Sequence, residues 1–141
     1  MGATGHDAAT VQDELEVRNL LARLARLADE GDLDEYLTVF TEDAVMELPG
    51  GPPRTGHAGL RAGAEAGRSS GATGPGSHTI HLLHQSHVVV DGDEATSTTA
   101  FTFLRDTAGT PTVALVGRYH DRFRRTPEGW KLAHRRTQVG L

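Results

Sequence analysis

Cysteine is absent from the 141 residues, which excludes a disulfide scaffold, a thiolate nucleophile and a thiolate-ligated metal. Lysine is nearly absent: Lys131 is the sole one, so thirteen of the fourteen basic side chains are arginine. Beside the abundant alanine and glycine, this reflects a GC-rich genome more than a function. No stretch of 18 apolar residues reads as a membrane span. The opening MGATGHDAAT has neither the basic nor the apolar region of a secretory leader, so a soluble, cytoplasmic protein is expected. No phosphate-cradling glycine loop, dinucleotide fingerprint or Ser-His-Asp order is present, which fits a reaction that uses no cofactor. Net charge is −5, with acids concentrated before residue 48 and arginines clustering after residue 104. A basic C-terminal half points to nucleic acid. These arginines, however, alternate along strand positions of an acidic chain, so a solvated sheet face accounts for them and no nucleic-acid partner is expected.

What is present centres on Ser77–Asp91, SHTIHLLHQSHVVVD. His78, His81, His84 and His87 recur every three residues, a helical spacing. The β-branched content and the Asp91-Gly92-Asp93 turn that follows argue instead for a long strand entering a hairpin. Strand parity then puts His81, Leu83, Gln85, His87 and Val89 on one face, with Ile80, Leu82, His84, Ser86 and Val88 on the other. Both faces carry apolar residues, so a central strand covered on both sides is expected. His81 and His87 share a face but lie roughly 20 Å apart at ~3.3 Å per residue, and zinc ligands must converge to about 2.0–2.1 Å of one ion. No metal site is expected.

Residues 1–9 read as a disordered lead and 10–141 as one domain, a length that suits a single core. From Thr10, with Asp13 and Glu14 behind it, the pattern becomes helical. Val17, Leu20, Leu21, Leu24, Leu27 and Ala28 form one stripe, and Gly31 caps the end. Asp32 caps a second, short helix burying Leu33, Tyr36, Leu37 and Phe40. A turn at residues 41–43, a short strand over 44–48, a loop over 49–56 and a weak third helix over 57–67 follow. Residues 68–77, RSSGATGPGS, form a mobile loop, either a lid over a site or a connector. Then come the histidine strand and strands over 94–106, 112–126 and 130–139, separated by glycine- and proline-bearing turns. Helices first and a meander after make an α+β fold: cone-shaped, its N-terminal helices packed on a strongly curved, mostly antiparallel sheet. The open end of such a cone suits an apolar ligand.

The stretches LADEGDLDEYLTVFTEDAVMEL, RTGHAGL, IHLLHQSHVVVDGDEAT and GRYHDRFRRTPEGWKLAHRRT, in this order and spacing, resemble the SnoaL-like family of the nuclear transport factor two superfamily, from about residue 11 to 138. The resemblance implies the cone fold, a homodimer, and a relative of scytalone dehydratase, ketosteroid isomerase, limonene epoxide hydrolase and polyketide cyclases. It also implies two site residues. Asp29, in a D-x-x-D pattern with Asp32, matches the helix-end aspartate of the dehydratase branch. His81, eleven residues before Gly92, matches its pocket histidine. A carboxylate on one imidazole nitrogen fixes the tautomer, leaving the other nitrogen to move a proton.

Asp121, between Tyr119 and Phe123 on the inward parity, is a second candidate base resembling the aspartate of the cyclases; a salt bridge with an arginine is the alternative. Gln85, on the face of His81, is a candidate partner for a substrate oxygen. Tyr36, Phe40, Trp130, Phe101, Tyr119 and Leu24 read as core and pocket wall. His134 shares the parity of Trp130 and Leu132 and so faces the cavity. The expected activity is proton transfer next to a carbonyl, giving dehydration, isomerisation or ring closure of an apolar, oxygenated small molecule such as a polyketide, terpenoid or steroid-like compound. A non-catalytic binding or dimerisation module and an epoxide hydrolase are the alternatives.

Overall fold

The computed structural model describes residues 7–141; residues 1–6 of the expected lead lie outside it. Helix α1 spans Ala8–Glu30. It begins ahead of Thr10, because the Asp7 carboxylate caps it by accepting from the Thr10 amide at 2.8 Å. Val17, Leu21, Leu24 and Leu27 are buried, the i, i+3, i+4 stripe of a helix laid on a sheet. At its end the Gly31 amide donates to the Leu27 carbonyl. The glycine is needed for space: a Cβ there would lie 2.5 Å from Leu27 Cδ2. Asp32 then caps α2 (Leu33–Thr38), accepting from the amides of Asp34 and Glu35.

Strand β1 runs Phe40–Glu47, absorbing the expected turn at residues 41–43. The two-residue β2 (Arg54–Thr55) leads into α3 (Gly56–Ser69), and β3 (Ile80–Asp91), β4 (Glu94–Arg105), β5 (Thr112–Thr126) and β6 (Gly129–Val139) follow. The sheet order is β2-β1-β6-β5-β4-β3, so β3 is an edge strand paired only with β4. It is not the doubly covered central strand expected from its apolar residues, and Ile80 and Leu82 on its outer face are exposed. Only the β1–β6 pairing is parallel; the others are antiparallel. The whole is an open, mixed sheet with the helices packed on it, an α+β cone.

Each of the β1–β6, β3–β4, β4–β5 and β5–β6 pairings contains a register shift. An extra residue on one strand bends it and sharpens the twist, so these shifts curve the sheet around α1. They also reverse facing. In β3, Leu83 opposes Phe101 but Ser86 opposes Thr99: three residues advance against two. Beyond the bulge the inward residues are Ser86 and Val88, not Gln85 and His87. Arg18 of α1 secures the bulge by donating to the Ser86 carbonyl at 2.6 Å.

The main core joins the α1 stripe to Tyr36, Leu37, Val39, Phe40, Leu60, Val88, Phe123, Trp130 and Leu132. Phe101, Phe103 and Tyr119 form a separate small cluster. The gap between the two clusters is a cavity.

Candidate active site

The cavity holds about 420 Å³, within the range of small-molecule sites. Its floor is apolar, with Leu21, Leu24, Ala28 and Leu33 on the helix side and Leu83, Phe101, Phe103 and Leu115 on the sheet side. Into it project a few polar groups: His81, Tyr36, Tyr119, Arg54, Arg68, Arg135, Thr73 and Thr137.

His81 lies in the first turn-length of β3, beside the C-terminal end of α1. Asp29 reaches across from that end and engages it twice. One carboxylate oxygen accepts from the His81 backbone amide at 2.9 Å, and the other lies 2.6 Å from the ring Nδ1. Both side chains are largely buried, 21% and 11% exposed. The ring also packs on Phe103, centroids 4.5 Å apart. An ionised carboxylate only accepts, so Nδ1 carries the proton. Nε2 has no protein partner among the described residues and is the nitrogen left for an occupant. An aspartate in the last turn of a helix opposes the macrodipole; its position is explained by His81, not by helix stability.

Tyr119 is stacked flat on Phe101, with centroids 4.1 Å apart and planes 5° from parallel. The Arg135 guanidinium covers its other face at 3.7 Å, a cation–π contact. Burial pushes the Tyr119 phenol up to about 12 against the lowering pull of Arg135. Tyr36, edge-on to Phe40, is raised as well: burial dominates over the opposing fields of Arg135, Arg54 and Arg68. Both phenols therefore remain protonated donors at neutral pH. Gly117 makes room for the stack, since a Cβ there would lie 2.9 Å from the Phe101 ring and 2.1 Å from the Gln138 carbonyl oxygen.

The remaining expected site residues are placed elsewhere. Asp121 faces inward but is 2% exposed and held in a two-point pair with Arg135, both bonds 2.8 Å. Burial alone would lower the guanidinium pKa; the Asp121 charge and hydrogen bonds outweigh it and hold it above its ordinary value. Asp121 thus fixes Arg135 and is not among the cavity-lining residues, the salt-bridged placement that was the alternative to its reading as a base. Gln85 is carried out of the cavity by the β3 bulge and lines an open groove between α1 and β3. His134 is displaced likewise. Arg122 opposes His134 while Phe123 opposes Leu132, so the extra residue turns His134 outward, 2.8 Å from Glu47. Phe40 is wholly buried and only supports Tyr36. Trp130 is at the other end of α1, donating to Asp13 at 3.0 Å beneath the Arg125 guanidinium. Leu24, Tyr36, Phe101 and Tyr119 do line the cavity.

All three cations of the cavity escaped the sequence reading: Arg54, Arg68 and Arg135. For Arg135 no signal existed, because the β6 bulge sets its facing. Residues 67–73 close one side of the cavity. Arg68 there donates to the Leu27 carbonyl at 3.1 Å, tying the segment to the end of α1. Among the described residues no helix is long and apolar enough to cross a membrane.

The sequence matches the SnoaL-like domain over residues 9–136. The chain belongs to the SnoaL-like family. Solved structures agree with this SnoaL-like fold. An NTF2-like protein with a cystatin-like fold from Novosphingobium aromaticivorans is 28% identical, with a TM-score of 0.81 over 98% of this chain and 92% of that one. A function-unknown protein from Mycobacterium tuberculosis is 27% identical, TM-score 0.83, over 99% and 78%. A second N. aromaticivorans protein, named as a candidate aromatic ring hydroxylase, is 29% identical, TM-score 0.77, over 93% and 91%. No curated protein sequence matches the chain. The SnoaL-like family includes dehydratases, isomerases and cyclases.

Proposed function

We propose that this SnoaL-like protein is a cofactor-independent acid–base enzyme acting on an apolar, oxygenated small molecule. The observation that carries this reading is the Asp29–His81 pair at the wall of the cavity. With Nδ1–H held by Asp29, the Nε2 lone pair takes a proton from a carbon next to a carbonyl. The electron pair of the broken C–H bond moves onto the carbonyl oxygen as an enolate. Tyr36 and Tyr119, kept protonated by burial, donate hydrogen bonds to that oxygen, stabilising charge where it develops. The imidazolium, balanced by Asp29, then returns the proton. Delivered to another carbon it completes an isomerisation. Delivered to a β-hydroxyl, as the enolate expels it, it releases water in a dehydration. The substrate is a small molecule bound singly in the cavity, with no role for nucleic acid or membrane, and the chain works as a homodimer in the cytoplasm.

The test is turnover of a panel of bicyclic and tricyclic β-hydroxy ketones, following enone formation by absorbance. Wild type should dehydrate at least one of them. His81→Ala should lose about 10²–10⁴ of the rate, the usual worth of a positioned acid–base group, while still binding the enone product. The second reading is a binding module, favoured by the apolar floor of the cavity. Binding of the ketones with no turnover by either protein would select it. An epoxide hydrolase would need a second aspartate on the Arg135 guanidinium, where Asp121 is the sole carboxylate partner among the described residues.

A further inference from the structure

Among the described residues, Arg54 is the cavity cation with neither a counter-charge nor a hydrogen-bond partner. Arg135 is neutralised by Asp121, and Arg68 is engaged by the carbonyls of Leu27 and Ala28, at the partly negative end of α1. Arg54 lines the same cavity and is half-buried, yet it has no ion pair or side-chain hydrogen bond among the described residues. Half-burying a charged head away from water costs free energy unless something pairs with it.

Its position is built rather than incidental. The guanidinium stem lies flat on α3 at Gly63, where a Cβ would come within 2.3 Å of the Arg54 Nε. A side chain at 63 would require the Arg54 head to shift. Its field reaches Tyr36 together with those of Arg68 and Arg135, so three guanidiniums act on one phenol in a chamber whose floor is apolar. A planar guanidinium matches a carboxylate with two parallel hydrogen bonds.

We propose that the Arg54 end of the cavity binds a carboxylate, so that the substrate is an apolar acid anchored there by Arg54, with Arg68 adding to the field. This deepens the reading above and rests on the same cavity, but not on His81 moving a proton. An anchored carboxylate would set which carbon of the substrate meets His81 Nε2, supplying the orientation that an apolar floor cannot.

The experiment measures binding, by calorimetry, of 2-naphthoate and of its neutral isostere 2-naphthamide at pH 7. Wild type should favour the acid by about tenfold or more. Added sodium chloride should weaken naphthoate and leave naphthamide unchanged. Arg54→Gln should bring the two affinities together, and Arg54→Lys should keep part of the preference while losing the two-point match. His81→Ala should retain the full acid preference. That separates the two claims: a wild type that prefers the acid yet turns nothing over sinks the acid–base reading alone, and a wild type that turns ketones over yet shows no acid preference sinks this one alone. Equal affinity for acid and amide in wild type, no naphthoate binding at millimolar concentration, or an undiminished preference in both folded Arg54 variants overturns the proposal.

Discussion

Asp29 holds His81 by two atoms at once, accepting from its backbone amide at 2.9 Å and meeting its ring Nδ1 at 2.6 Å. The pair joins the last turn of α1 to the start of β3, elements 52 positions apart in sequence. One carboxylate therefore fixes where the strand begins against the helix and how the ring is turned toward the cavity. Packing and chemistry meet in the same two bonds.

That double engagement predicts a tautomer. In the neutral ring the proton should reside on Nδ1, with Nε2 bare. Nitrogen-15 correlation spectra of labelled protein should show this pattern for His81, and Asp29→Ala should shift the ring toward the commoner Nε2–H form. The same substitution strips a largely buried amide of its acceptor, which costs about 1–3 kcal/mol. Denaturant unfolding should register that loss. A wild-type ring in the Nε2–H form contradicts the arrangement.

The two tyrosines, Tyr36 and Tyr119, are the only ones in the chain, and both are raised, first by burial. A phenol whose folded pKa exceeds its unfolded value favours the folded state fully below the unfolded value. That contribution fades as pH rises from the ordinary value of 10.0 through the folded one, about 12 for Tyr119. Absorbance at 295 nm should show almost no tyrosinate in the native protein near pH 10. Both phenols should then ionise together with alkaline unfolding, at a pH where ellipticity is lost. A separate, earlier phenolate step in folded protein would place a ring in solvent.

Asp13 shows the opposite sign. Hydrogen bonds from Arg125 and then Trp130 hold its carboxyl below the usual range. A depressed carboxyl contributes stability that is present above its unfolded pKa, ~3.9, and lost as pH falls through the folded one. The stability gap between wild type and Asp13→Asn should be flat from pH 7 to about 5 and close progressively below about 4. Urea melts across that range measure it; a constant gap down to pH 2 contradicts the pairing.

Gly117→Ala tests the aromatic stack. The new Cβ would meet the Gln138 carbonyl at 2.1 Å and the Phe101 ring at 2.9 Å, and backbone cannot step aside as a flexible side chain does. Overpacking of this kind costs about 1–3 kcal/mol. Thermal unfolding should show the loss, together with weaker ligand binding because Phe101 and Tyr119 form the cavity wall.

The sequence carried the architecture because its signals are local. The Val17–Leu27 stripe, the Gly31 stop, the Asp32 cap and the turn at Gly92 each act within a few residues. Facing along the long strands is different, since it depends on which residue of the neighbouring strand stands opposite. One extra residue near His84–Gln85 sent Gln85 outward, and one at Ala133 sent His134 outward while bringing Arg135 in. Neither insertion has a sequence signature, so parity counted straight through them gave the wrong face. Asp121 was on the right face, but its partner Arg135 came from the bulged strand and was invisible. Asp29 lies off the apolar stripe of its own helix; only the family resemblance pointed to it.

The central claim, that His81 backed by Asp29 moves a proton at a carbon in this cavity, is tested most directly by hydrogen exchange. Wild type, His81→Ala and Asp29→Asn are each incubated with 2-tetralone in deuterium oxide, and loss of the signal of the protons next to the carbonyl is followed by NMR. The account predicts exchange well above the buffer rate with wild type, reduced at least about a hundredfold by His81→Ala and substantially by Asp29→Asn, with the ketone still bound by each. Exchange no faster than in buffer while the ketone is bound, or equal rates for wild type and His81→Ala, would contradict it.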